Sequence, residues 1–236
     1  VLIPTRERGF EYLDDPALPA ETAERSLQDV ALSNKLFGGT RAVLAEMQLV
    51  CEAAQRDGVT TLSLLDVGTG LADIPAAVGK LAARFGIALS PIGIEPSPEL
   101  AHVAHKHVAT AVAGDGRALP FAGHSIDVVT CSQVLHHFTD SDAQLLLREC
   151  TRVARRAVII AEIRRSWLAI ILLWLVSFPL RFHAFSRHDG VASIRRGFTV
   201  RELALAVQQS GINTAHTRKR FGWRVTAIWH PGTNPS

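Results

Sequence analysis

The sequence predicts an α/β fold: a doubly wound, mostly parallel, seven-stranded sheet, with added N-terminal helices and a helical insertion after the fifth strand. Three observations carry this expectation. Short apolar runs without helical period alternate with amphipathic segments between residues 61 and 163. Two further short runs close the chain. A length of 236 residues with 47% apolar content is enough for one sizeable core.

The elements follow in order. Residues 1–16 read as irregular. Apolar residues recur at helical spacing from Ala20 to Leu36, and Gly38-Gly39 ends that run. A second helix is expected from about Thr40 to Arg56. TLSLLDV is a short run suited to a strand buried on both faces, and a helix follows from about Asp73 to Phe85. SPIGIEP, TAVAGD, SIDVVTCS and RRAVIIAEI read as strands two to five, with helices in PSPELAHVAHKHV and SDAQLLLRECTRVA. Right-handed crossovers between such strands place helices on both faces, and ligands bind outside the strands' carboxyl ends. GFTVRELALAVQQSGI is a helix with Thr199 as N-cap, Glu202 completing a capping box and Gly211 closing it. NTAHTRKR and WRVTAIWH read as terminal strands. Residues 1–58 are expected to form a helical cap segment and residues 59–236 the ligand-binding domain, with 164–198 as an insertion covering the site.

The formal net charge is +3 and aromatic residues make up 6%, with no clustered basic stripe, so a nucleic-acid partner is not expected. Three cysteines, Cys51, Cys131 and Cys150, lack metal-like spacing and suggest a reducing, cytoplasmic setting. The charged start lacks the apolar run of a secretory signal. The apolar stretch from Trp167 to Leu180 is shorter than the roughly 20 residues of a spanning helix. It is expected to pack over the sheet edge or the site. Its flanking Arg164, Arg165 and Arg181 also suit a peripheral membrane contact or a cover for a lipophilic substrate.

LLDVGTGLADIP, from Leu64 to Pro75, is a strand, a glycine turn and a helix start. A dinucleotide turn calls for a third glycine where Asp73 stands, and that carboxylate opposes a phosphate at a helix N-terminus. No Gly-Lys-Ser/Thr sequence of a P-loop is present. A Tyr-x-x-x-Lys dyad for hydride transfer is absent too, Tyr12 being the single tyrosine. Asp66, Glu95 and Asp115 instead place an acid at three successive strand ends. Each alone has an ordinary turn or strand-end use. Together they suit a phosphate-free ligand with a cationic amine, a ribose diol and an exocyclic amine, as in S-adenosyl-L-methionine (SAM).

Here the motifs carry a family resemblance. LLDVGTG, IEPS and GDGRALPFAGHSIDVVTCSQVLHHF resemble the successive motifs of class I SAM-dependent methyltransferases, whose fold is Rossmann-like. The last stretch is similar to the ubiquinone/menaquinone-biosynthesis type of small-molecule enzyme. The resemblance runs from about Leu62 to the C-terminus and is strongest from Leu64 to Phe138. Ala72 departs from it, because many members carry a third glycine there. The resemblance implies that the backbone of Gly68, Thr69 and Gly70 lies against the cofactor and that Asp66 orients the loop. It implies that Glu95, followed by Pro96, accepts from the ribose, and that Asp115 accepts from the adenine amine, with Gly116 and Arg117 near the ring. Ser132 and Gln133 then lie beside the methionine part.

His136 and His137 follow strand four on the methyl-donor side, and either is a candidate base for an acceptor hydroxyl. His188 and Asp189 are candidates for closing over the acceptor. No metal site is expected, since His102, His105 and His107 lack a nearby fourth ligand. The apolar cover points to a small apolar acceptor of phenolic, quinone-like or polyketide type, methylated on oxygen, with carbon as the second choice. A non-catalytic partner subunit of the same fold is the alternative outside enzymes.

Overall fold

The computed structural model describes residues 3–15, 17–96 and 98–232. Residues 1, 2 and 16 of the expected irregular start, and residue 97 in the expected fourth helix, lie outside them.

A short 3-10 turn, Tyr12–Asp14, precedes helices α1 (Ala20–Leu36) and α2 (Gly39–Arg56). The sheet strands are β1 (Thr61–Val67), β2 (Ala88–Glu95), β3 (Thr110–Ala113), β4 (Ile126–Ser132), β5 (Ala154–Ile163), β6 (His216–Arg220) and β7 (Arg224–Trp229). Between them lie α3 (Asp73–Arg84), α4 (Pro98–His105), α5 (Asp140–Val153), α6 (Trp167–Ser177), α7 (Ala184–Arg196) and α8 (Val200–Gln209). The seven strands run in the order β3-β2-β1-β4-β5-β7-β6. Strands β1 to β5 pair in parallel, and β7 is antiparallel to both β5 and β6. The strand order reverses between β1 and β4, which opens a crevice at their carboxyl ends.

Alternation along β5 shows how the sheet is buried on both sides. Val158 and Ile160 pack with Leu146, Leu147 and Cys150 of α5 and with Leu203 and Val207 of α8. Ala157, Ile159 and Ala161 face the other way, onto Val43, Met47 and Val50 of α2 and Val78 of α3. Period-two alternation cannot show as polarity when both faces are apolar, hence the continuous run RRAVIIAEI. The three cysteines are buried and free.

The capping box at Thr199 and Glu202 is formed as expected, and the helix it starts stops before Gly211. The apolar stretch differs from its reading. It is helical only from Trp167 to Ser177, since Pro179 cannot extend the hydrogen-bond ladder. A second helix, α7, follows, which polarity gave no reason to expect. Among the described residues no helix is long and apolar enough to cross a membrane.

The turn between β6 and β7 lies against the turn between α1 and α2. Gly222 adopts φ 73° there, and a Cβ on it would overlap the Phe37 carbonyl. Gly222→Ala is therefore expected to destabilise the protein by about 2 kcal/mol or more, from overpacking and a disfavoured φ together. Urea melts of the two proteins measure this; equal midpoints would show that the turn can move aside.

Candidate active site

A cavity of about 640 Å³ lies at the carboxyl ends of β1, β2, β4 and β5. That is a size suited to a small-molecule site. Gly68, Thr69, Gly70, Glu95, Pro96, Asp115, Gly116, Arg117, Ser132, Gln133, His136, His137 and Asp189 all line it. Asp66 and His188 do not. Asp66 sits beneath the glycine turn, and His188 lies outside on α7.

The turn after β1 is held from below. Gly68 takes φ 71°, and a Cβ there would overlap Val134. The Gly68 N–H donates to the Ile94 carbonyl at 2.8 Å, and the Thr69 N–H to the same oxygen at 3.4 Å. The Gly70 N–H donates to Glu95 Oε1. An anion cradle needs such N–H groups free. With all three engaged, the turn presents carbonyls and bare Cα surface, which suits a cation and disfavours a phosphate. Ala72 holds φ 55° at the N-cap of α3, so alanine takes the left-handed turn where a third glycine was the more usual residue.

The acids of this end are short of positive partners. Asp66 is buried and accepts the Thr130 hydroxyl at 2.6 Å. Desolvation pushes its carboxyl up from the ordinary 3.8 to about 7, against the opposing hydrogen bonds. Desolvation likewise raises Glu95 to about 7. Asp115 is different. Its oxygens hold the Arg117 guanidinium at 2.8–3.0 Å, and those hydrogen bonds lower its pKa. An ionised carboxylate offers about four acceptor sites, so Asp115 keeps capacity for another donor. Gln133, at φ 58°, donates to Asn34 of α1, and Asn34 donates to Asp73 at 3.1 Å. Helix α1 is thereby tied across this end of the cavity.

The other end holds a cluster that local sequence reading missed. His136 Nδ1 lies 2.8 Å from Glu162 Oε2, at the end of β5, and His137 Nδ1 lies 2.6 Å from Asp14 Oδ1. Arg196 Nη1 reaches Asp14 at 2.7 Å and Glu11 at 3.1 Å, and Ser193 donates to Glu11 at 2.9 Å. Burial would raise the Asp14 carboxyl, but His137 and Arg196 outweigh it and hold the group at about 2. Burial would likewise raise Glu162, and the imidazole of His136, close beside it and hydrogen-bonded to it, keeps it low. Glu162 carried a signal in sequence, because a charge inside VIIAEI needs a buried partner. Glu11, Asp14 and Arg196 carried none.

Asp189, a candidate for the acceptor, uses its oxygens otherwise. They accept the Tyr12 and Leu13 N–H groups at 2.9 and 3.1 Å, which fastens the N-terminal segment over α7. His188 leans on Asp189 at 3.1 Å from its exposed position. The cover of this end is apolar: Ala169, Leu172, Leu173 and Val176 of α6 face inward.

Comparison with known proteins agrees with the geometry. Residues 65–161 match the family model of a methyltransferase domain. A methyltransferase of Mycolicibacterium vanbaalenii, described as uncharacterized, is 38% identical over 91 residues, covering 36% of this chain and 33% of that protein. The match thus spans about a third of that curated relative's length. A SAM-dependent methyltransferase from Aquifex aeolicus superposes with a TM-score of 0.52 at 14% identity, over 77% of this chain and 89% of that one. Magnesium protoporphyrin IX methyltransferase from Synechocystis, solved with S-adenosylhomocysteine (SAH), gives 0.51 at 14% identity, over 81% and 84%. Residues 65–161 thus match a methyltransferase domain, and the chain has the fold of solved SAM-dependent methyltransferases.

Proposed function

We propose that the protein transfers a methyl group from SAM to a hydroxyl oxygen of a small apolar acceptor of phenolic, quinone-like or polyketide type. One observation carries the reading: a single cavity joins the glycine turn and strand-end acids to a pair of histidines beneath an apolar cover. The stretch GDGRALPFAGHSIDVVTCSQVLHHF supports the small-molecule class, on its resemblance to enzymes of ubiquinone and menaquinone biosynthesis.

SAM supplies an electrophilic methyl carbon on a sulfonium when bound. Glu95 and Asp115 hold its ribose and adenine, and Ser132 and Gln133 flank its methionine part. Asp66 places negative charge beneath the turn. Helix α1 excludes water from above. His136 and His137 stand at the acceptor end and activate the hydroxyl, whose proton must leave as the oxygen is methylated. Alignment of oxygen and methyl carbon supplies several kcal/mol of the barrier. The segment 164–198 acts as the acceptor cover. Its outer face, with Trp167, Leu168, Ile171, Trp174, Leu175 and Phe178 exposed, supports a membrane surface as the acceptor's source.

Three outcomes are expected. Glu95→Ala and Asp115→Ala each weaken SAM binding about 10-fold or more, as loss of a charge-assisted hydrogen bond requires; calorimetric titration with SAM and SAH measures this, and unchanged affinities would remove both roles. His136→Ala slows methylation of a phenol panel about 100-fold while SAM affinity stays the same; undiminished turnover would retire the histidine.

The third concerns pH. Asp66 and Glu95 have folded-state values near 7 against ordinary values of 3.8 and 4.5. The folded state therefore binds more protons than the unfolded state in between. The associated stability is full below about pH 4 and is lost as pH rises through about 7. Asp66→Asn keeps the acceptor for Thr130 and removes the charge. It is expected to stabilise the cofactor-free protein at pH 8 by about 1–3 kcal/mol relative to its effect at pH 5. Urea melts at both values check the sign.

A further inference from the structure

The histidine end of the cavity brings His136 Nε2 close to Glu11 Oε1, an oxygen that also pairs with Arg196 Nη1 at 3.1 Å. His136 Nε2 and Glu11 Oε1 are both buried, have no hydrogen-bond partner among the described residues, and stand 3.9 Å apart. Glu11 Oε2 stands 4.0 Å from His137 Nε2. Arg196 answers the charge of Glu11, while the buried His136 Nε2 is left with no donor.

The tautomers select the cation. We assign the Nδ1 proton of His136 to Glu162, which ends 2.8 Å away. His137 Nδ1 lies 2.6 Å from Asp14 and 3.2 Å from Arg196, so its proton is assigned to the nearer carboxylate. Both Nε2 lone pairs are then left toward Glu11. A carboxylate on the far nitrogen of each imidazole is the arrangement that orients histidine as a metal ligand and raises its basicity. Arg196 and Ser193 hold the Glu11 carboxylate so that its oxygens face the rings. Ligand atoms of all three residues lie within 4.8 Å of one another. Bonds of about 2.0–2.2 Å then require side-chain shifts of roughly 1 Å or less.

We propose that Glu11, His136 and His137 bind a divalent transition-metal ion of the zinc type. Two imidazoles and one carboxylate leave coordination positions open, and the site lines the cavity at the acceptor end. Resting on the methyl-transfer reading, the consequence is a choice of acceptor. Held by Glu11, His136 and His137, such an ion would leave open positions for a hydroxyl with a second oxygen beside it and would lower the pKa of that hydroxyl. The two histidines would then act on the hydroxyl through the ion they hold.

The test uses the whole chain, stripped with a chelator and titrated with Zn²⁺, and separately with Co²⁺ as a spectroscopic probe. One equivalent of Zn²⁺ per chain is expected. Affinity falls at least about 100-fold in Glu11→Gln and in His136→Gln, and is unchanged in His102→Ala on α4. Co²⁺ gains visible absorption in the wild type and loses it in both cavity variants. A wild-type protein that binds SAM yet takes up no Zn²⁺ overturns the site; the proton then bridges His136 and Glu11. Uptake that persists when Glu11→Gln and His136→Gln are combined overturns its location. SAM titration on the same preparations keeps the two readings apart, since loss of SAM binding with intact Zn²⁺ uptake defeats the methyl-transfer reading alone.

Discussion

Glu162 ends β5 where no water reaches it, and its carboxylate is held ionised in a place where an unpaired charge would cost several kcal/mol. Much of the histidine end of the cavity follows from that requirement. His136 supplies both its ring and its backbone N–H to Glu162, at 2.8 and 3.3 Å. This pins the loop after β4 to the end of β5 and fixes which imidazole nitrogen turns outward. Once His136 is fixed, the ring of His137 tilts against it, with centroids 4.3 Å apart. Asp14, Glu11 and Arg196 then assemble on the two rings. Arg224 on β7 is buried nearby, with desolvation drawing its pKa down to about 10 and the charge of Glu162 opposing that fall.

The two ends of the cavity handle buried charge in opposite ways. At the histidine end Asp14 and Glu162 have cationic or imidazole partners, and their pKa values stay low. At the glycine turn Asp66 and Glu95 have hydroxyl and amide donors but no cation among the causes of their shifts, and both rise to about 7. Such a turn is less stable than it could be. Tolerating that cost is reasonable where a cationic ligand is to be recognised, since the ligand supplies the missing charge on arrival. The occupied N–H groups of Gly68, Thr69 and Gly70 point the same way, since none of the three is left to hold an anion.

What the sequence made legible is what local pattern and short spacing can encode. Strands buried on both faces read as continuous apolar runs, and an acid at each of three strand ends falls where parallel topology places a ligand. The remainder depends on contacts between residues far apart. Arg196 meets Asp14 across 182 positions, and no periodicity announces such a pair. Residues 4–14 look like an irregular tail because they have no stripe to bury. They are held instead by polar contacts to distant residues, among them Arg165 with Pro4, Arg196 with Gly9, Glu11 and Asp14, and Tyr12 and Leu13 with Asp189. Helix α7 went unseen for the same reason: AFSRHDGVASIRR mixes charges into every turn, and its charged residues serve that segment rather than solvent.

Helix α6 shows how one short element meets two demands. Its 11 residues are apolar nearly all round, a pattern that normally means burial on every side. Here only one side is buried: Ala169, Leu172, Leu173 and Val176 line the cavity, while Trp167, Ile171, Trp174 and Leu175 stay half-exposed. A cover needed only to keep water out would have a polar outer face, because polar residues there cost the fold nothing. An outer face as apolar as the inner one leaves the helix apolar toward both solvent and cavity. A polar molecule would gain nothing from such surfaces. An apolar molecule would meet matching surface on either side of α6 and charged side chains only around the histidines.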